Sequence, residues 1–281
     1  MTASAQVLCD VCPKFCRLRE GQTGFCRARS NIGGTIVPNN YGQCTSIALD
    51  PIEKKPLARF YPGSFILSYG SYGCDLRCPY CQNHEISMAG REIPTRKITP
   101  EGLCDLAVDL SRREPGNLGV AFTYNEPLIC WEFIRDTSQL LHEVGLKSVA
   151  VTNGGITRKY ADLVLPHIDA LNIDLKGFSE DFYRIVKGEL EIVKDFIGNA
   201  VEHGCHVELT TLIIPTVNDS PALMEKEAEW IASVSPDIAL HLSRFFPRYQ
   251  WNNLPITSAR TIFTLRDIAK KRLKYVYCGN L

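Results

Sequence analysis

Gly73-Cys74-Asp75-Leu76-Arg77-Cys78-Pro79-Tyr80-Cys81-Gln82-Asn83 is the stretch from which this chain is read. Its cysteines are spaced Cys-x3-Cys-x2-Cys, so three thiols fall within eight residues of one loop. Three thiolates hold three irons of a [4Fe–4S] cube and leave the fourth iron open to a ligand from elsewhere. A structural zinc site would close itself with four protein ligands. The chain carries 12 cysteines among 281 residues, and at that frequency chance supplies roughly 0.02 such triplets. The loop is therefore a candidate metal centre.

A second group lies upstream: Cys9, Cys12, Cys16 and Cys26, spaced Cys-x2-Cys-x3-Cys-x9-Cys, with Gly21 and Gly24 between the last two. Four thiolates on a short, loop-rich segment make a closed site, and both zinc and a second [4Fe–4S] cluster suit four cysteines. Cysteine used in this way, in a chain whose first ten residues lack a basic-then-apolar leader, points to metal sites in a reducing cytoplasm rather than to disulfides. Lysine plus arginine equals aspartate plus glutamate, 31 against 31, so nothing in the balance points to nucleic acid or membrane. No apolar run approaches the roughly 18 residues of a membrane span.

After residue 62 the pattern alternates. Strands are expected at 64–69, 118–123, 146–151, 168–175, 205–213 and 237–242, with a short terminal strand at 275–277. Helices are expected at 99–113, 125–144, 157–165, 179–186, 190–203, 221–234 and 257–273. Thr99 caps the first, with Pro100 at its first turn. Strand–helix alternation means a parallel sheet with right-handed crossovers. The expected organisation is a cysteine-rich unit and connector over 1–62 and an α/β barrel over 63–281. Residues 50–56, charged and bounded by prolines, read as no regular element. They would form either a surface clasp or a contact for substrate or partner.

In barrels, catalytic groups sit at the C-terminal ends of strands. Polar residues fall there in this sequence: Asn125 and Glu126 after the second strand, Thr152 and Asn153 after the third, Asn172, Asp174 and Lys176 at the fourth, His241, Ser243 and Arg244 at the sixth. Cys104, Cys130 and Cys205 fall within elements and read as core.

With Tyr80 before its last cysteine, the loop resembles the signature of radical S-adenosylmethionine (SAM) enzymes. The flanks Gly63-Ser64-Phe65-Ile66-Leu67-Ser68 and Cys81-Gln82-Asn83-His84-Glu85-Ile86-Ser87, together with Asp50-Pro51-Ile52-Glu53-Lys54-Lys55-Pro56, are similar to the AmmeMemoRadiSam system radical SAM enzymes. That group is related to pyruvate formate-lyase activating enzyme. The resemblance implies a partial (β/α)6 TIM-like barrel and an oxidoreductase in which Cys74, Cys78 and Cys81 hold the [4Fe–4S] cluster. SAM chelates its open iron and is cleaved to a 5′-deoxyadenosyl radical, which takes hydrogen from a protein or small-molecule substrate. The alternative is a glycyl-radical activase, acting on a backbone glycine of a partner enzyme.

The resemblance also implies roles at the SAM site. Glu126 corresponds to the acidic end of the family's Gly-Gly-Glu motif, although Tyr124 and Asn125 stand where the glycines are expected. Tyr80 corresponds to the aromatic residue near adenine, and Asp174 with Lys176 to an Asp-x-Lys pair. Asn125, Thr152, Asn153, His241 and Arg244 complete the expected cofactor-binding set. A monovalent cation beside SAM would use Thr152 and Asp174, but Val151 stands where an aspartate is expected. The implied partners are an electron donor such as flavodoxin or ferredoxin, and MEMO-type and AMMECR-type proteins.

Overall fold

The computed structural model describes residues 6–281; residues 1–5, which open the expected N-terminal unit and the stretch read for a leader, lie outside the described residues. The N-terminal part forms two hairpins, β1 (Val7–Cys9) with β2 (Cys16–Leu18) and β3 (Arg29–Ile32) with β4 (Thr35–Pro38). A short strand, β5 (Gln43–Cys44), leads into β6 (Ser46–Pro51) and then β7 (Phe65–Gly70). Helix α1 (His84–Ser87) leaves the cysteine loop, and β8 (Arg96–Lys97) folds back on β5. The alternating part comprises α2 (Pro100–Ser111), β9 (Gly119–Thr123), α3 (Trp131–Glu143), β10 (Lys147–Thr152), α4 (Arg158–Val164), β11 (Ala170–Asp174), α5 (Glu180–Val186) and α6 (Leu190–Glu202). It continues through β12 (His206–Ile213), α7 (Pro221–Val234), β13 (Ala239–Arg244), α8 (Ala259–Ala269) and β14 (Val276–Gly279).

Eight strands make one sheet in the order β14-β13-β12-β11-β10-β9-β7-β6. From β7 to β14 every pairing is parallel, and β6 joins antiparallel at the edge, with Ala48 opposite Ser68 and Pro51 opposite Phe65. The two edge strands do not pair with each other, so the sheet is a partial barrel with helices outside. The expected order of strands and helices is found, with the short C-terminal stretch extending the parallel set as a seventh member.

Side-chain alternation divides the strands between two cores. Leu67, Tyr69, Phe122, Ala150, Leu171, Ile173, Leu209 and Leu240 pack with the helices in the main cluster. Their neighbours Ile66, Ala121, Val149 and Ala170 face the other way and pack with Ile52, Leu57 and Phe60. Residues 50–56 are therefore not an irregular surface clasp, although Glu53 and Lys54 remain exposed. Asp50 and Pro51 end β6, a short 3-10 helix covers Ile52–Lys54, and Ile52 and Leu57 are 0% exposed inside the sheet. The reason is volume: Ala121 and Ala170 leave a space that Leu57 and Phe60 fill. Polar anchors hold this plug. Asn172 donates to the Pro56 carbonyl at 2.8 Å, and the Glu208 carboxylate accepts from the backbone N–H groups of Ala58 (3.0 Å) and Arg59 (2.8 Å).

One expected helix divides. Over 125–144 the chain stays extended at Glu126 (φ −90°, ψ 106°), makes a 3-10 turn over Pro127–Cys130, and only then enters α3. The Glu126 side chain caps that turn by accepting from Leu128 N–H at 2.9 Å. Among the described residues no helix is long and apolar enough to cross a membrane.

Candidate active site

β7 ends at Gly70, and the three-cysteine loop begins three residues on at Gly73. Asn125, expected as a cofactor contact, clamps this loop. Its amide nitrogen donates to the carbonyls of Tyr72 (3.2 Å) and Gly73 (3.1 Å), and its oxygen accepts from Ser71 N–H at 3.0 Å. Gly73 needs its left-handed φ of +86°, and a Cβ there would meet the Cys26 carbonyl oxygen at 2.6 Å. The Cys74 sulfur accepts from Leu76 N–H at 3.3 Å.

Two groups of expected residues meet the loop from different strand ends. On one side Asn153, after β10, donates to Asp75 at 2.8 Å and reaches the Cys74 sulfur at 3.7 Å. Glu126, 3% exposed, accepts from Thr152 Oγ1 (2.7 Å) and Asn153 N–H (2.7 Å). Burial, with the nearby Asp75 carboxylate adding to it, pushes Glu126 up to about 8. Two buried carboxylates side by side are costly unless a cation or proton joins them. On the other side, at the end of β11, Lys176 pairs with Asp174 at 2.7 Å. Its ammonium also lies within electrostatic reach of the Cys78 and Cys81 sulfurs, and although burial opposes the charge, these anionic neighbours raise its pKa. Tyr80 is buried between Phe182 (ring centroids 6.1 Å) and Trp251 (5.4 Å).

His241 and Arg244 have other partners. His241 contacts Glu208 at 2.6 Å within the barrel, and Arg244 donates to the Thr257 carbonyl at 2.6 Å. Thr152 gives its hydroxyl to Glu126, and Asp174 pairs with Lys176 at the end of the adjacent strand. Among the described residues no three His, Cys, Asp or Glu side chains converge closely enough to hold a single metal ion.

Three residues here escaped the sequence reading. Asp75 lies inside the loop and is 0% exposed, with Oδ2 unpartnered. Phe182 and Trp251 enclose Tyr80 from α5 and from the loop after β13; Trp251 N–H donates to the Pro79 carbonyl at 3.2 Å. None carries a spacing signal: Phe182 and Trp251 arrive from distant elements, and the burial of Asp75 is decided by what packs on the loop.

These residues fit an iron–sulfur cluster: three thiols on one loop, a backbone donor to the first sulfur, and an ammonium beside the other two. Protein thiolates hold such clusters, and hydrogen bonds to their sulfurs tune them. The family model for the radical SAM superfamily matches residues 68–226, more than half of the chain. This chain belongs to the radical SAM superfamily. It is 38% identical over 279 residues to an uncharacterized protein of Methanocaldococcus jannaschii, covering 98% of this chain and 82% of that one. It is 32% identical over 168 residues to the pyruvate formate-lyase-activating enzyme of Clostridium pasteurianum, covering 58% of this chain and 67% of that one. The crystal structure of a domain of pyruvate-formate lyase-activating enzyme from Bacteroides vulgatus matches with a TM-score of 0.51 at 19% identity, over 57% of this chain and 98% of that one. This last likeness concerns the fold alone. The chain is thus a radical SAM enzyme related to the activating enzymes.

Proposed function

We propose that this radical SAM enzyme is of the activating type, generating a 5′-deoxyadenosyl radical that abstracts hydrogen from a backbone glycine of a partner protein. The observation that carries this reading is the 32% identity to an activating enzyme, together with the Asp174–Lys176 pair beside Cys78 and Cys81. The cluster, when bound, supplies the electron that cleaves SAM. The chain's own groups would do the rest. Lys176 offers a charge-assisted bond to the SAM carboxylate, and Glu126 with Asp75 offers negative charge to its ammonium. Tyr80, held by Phe182 and Trp251, gives adenine an aromatic edge. Such a site would work in a reducing cytoplasm, with flavodoxin or ferredoxin as the reductant.

A second reading rests on the resemblance of residues 50–56 and the flanks of the cysteine loop to the AmmeMemoRadiSam system radical SAM enzymes. In it the radical acts on a side chain or small molecule, with MEMO-type and AMMECR-type proteins as partners. One experiment separates the two. The anaerobic enzyme is incubated with SAM, reductant and either a glycyl-radical enzyme or those partners. The activase reading expects 5′-deoxyadenosine together with a glycyl EPR signal on the partner. Absence of that signal across glycyl-radical enzymes, with a mass change on another partner, establishes the second reading. Absence of any SAM cleavage by iron-replete protein defeats both.

A further inference from the structure

We infer that Cys9, Cys12, Cys16 and Cys26 hold a second [4Fe–4S] cluster, through which electrons reach the cluster at Cys74, Cys78 and Cys81. The inference rests on the radical SAM reading above.

The first argument is the environment of the sulfurs. Cys9 and Cys16 stand directly opposite each other on β1 and β2. The Cys16 sulfur accepts from Phe25 N–H at 3.4 Å. The Cys74 sulfur likewise accepts from Leu76 N–H at 3.3 Å. A backbone donor to sulfur is thus shared by the N-terminal unit, at Cys16, and by the loop of Cys74, Cys78 and Cys81. A thiol is a weak acceptor, whereas a metal-bound thiolate is stabilised by such donors.

The second argument is spacing. Cys9 lies within electrostatic reach of Cys12, Cys16 and Cys26, and Cys12 of Cys26. Four thiols grouped in this way suit a cube, whose four irons each take one cysteine.

The third argument is the connection. Cys74 N–H donates to the Cys26 carbonyl at 3.2 Å, so one hydrogen bond joins a ligand of each site. At the other end Cys16 is partly exposed, beside exposed Phe15, Arg17 and Arg19. One electron from an acidic carrier protein would reduce this cluster from [4Fe–4S]2+ to [4Fe–4S]1+. Handing it to the SAM cluster restores the oxidised state, and no atom or proton moves.

The test uses the full chain, prepared anaerobically. The Cys74→Ala/Cys78→Ala/Cys81→Ala variant should keep about four irons of about eight, hold no zinc, and give a dithionite-reduced EPR signal that SAM does not alter. Zinc in that variant, or no iron, overturns the second cluster. Wild type that then still shows a SAM-responsive signal leaves the radical SAM reading standing. For the relay, Cys12→Ser is compared with wild type under two reductants. The ratio of SAM cleavage driven by reduced flavodoxin to that driven by dithionite should fall at least about tenfold. An unchanged ratio overturns the relay. If Cys12→Ser does not fold, the ratio is read from Arg17→Glu/Arg19→Glu at the entry face, with the same two outcomes.

Discussion

Lys176 and Gly155 show how single residues set the site. Lys176 faces one of its own strand's carboxylates and two loop sulfurs. Lys176→Ala should weaken SAM binding by about ten- to a hundredfold, since a charge-assisted bond contributes roughly 1.5–3 kcal/mol. Iron content should stay unchanged. Titrating SAM into iron-replete protein decides it, and equal dissociation constants would leave Lys176 a mere partner of Asp174. Gly155 is constrained by approach rather than by backbone angle: a Cβ would meet Asp75 Oδ2 at 2.3 Å and Asn153 Oδ1 at 2.8 Å. Gly155→Ala should therefore cost about 1–3 kcal/mol through overpacking. Because Asp75 adjoins Cys74, the variant should also lose cluster iron on purification. Denaturant midpoints and iron assays on the same preparation test both, and full stability with full iron would show that Asp75 yields freely.

At the scale of elements, the contact between β12 and α7 carries a pH signature. Glu227 on α7 is 2% exposed and accepts the hydroxyl of Thr211. Burial pushes its carboxyl up to about 7, against an ordinary value of 4.5, and the Thr211 bond only partly offsets this. A folded-state pKa above the unfolded one gives stability that is complete below pH 4.5 and lost as pH rises through about 7. Glu227→Gln should match wild type near pH 5 and exceed it near pH 8, by an amount approaching ~3 kcal/mol. Thermal melts at both pH values, with iron loading held equal, give the difference directly. A difference that does not change with pH would mean that Glu227 reaches solvent. The same contact explains why helix α7 could be placed from its Pro221 start and apolar spacing, yet its buried acid drew no attention. Whether an acid on a helix faces water or a strand depends on the neighbour across from it.

For the whole molecule, the inner plug is the feature on which the two halves of the sequence depend. It connects β6 to β7 and fills the face of the sheet that the helices do not cover. Leu57→Ala should open a cavity inside the barrel and cost about 2–5 kcal/mol, a range typical of buried leucine truncation. Chemical denaturation at matched iron content measures it. A loss below about 0.5 kcal/mol, the scale of surface changes, would show that the plug is not packed. Glu208 gives the plug its polar anchor. Burial raises its carboxyl, but bonds from His206 and His241 outweigh this and hold it at about 2. His241, expected at the cofactor, is thus engaged with the plug's anchor in the folded chain.

The sequence alone determined the three-cysteine loop, the alternation of strands and helices, and the polar residues at the strand ends. These signals are local: a ligand spacing, a period of 2 or 3.6, a cap before a proline. Thr99 shows it, accepting from Gly102 N–H at 3.1 Å where the cap was expected. What joined those segments was decided only in three dimensions. Residues 50–56 read as a charged surface run because their charges are adjacent in sequence. Yet Lys55 is 3% exposed and its ammonium lies 2.9 Å from Asp50, which also accepts from Ser68 at 2.8 Å and Tyr124 at 3.0 Å. Likewise Asp75 lies between two cysteine groups some 50 to 65 residues apart. Burial, ion pairing and the meeting of the two groups arise from packing between distant elements, and no periodicity along one segment encodes which element will lie across from it.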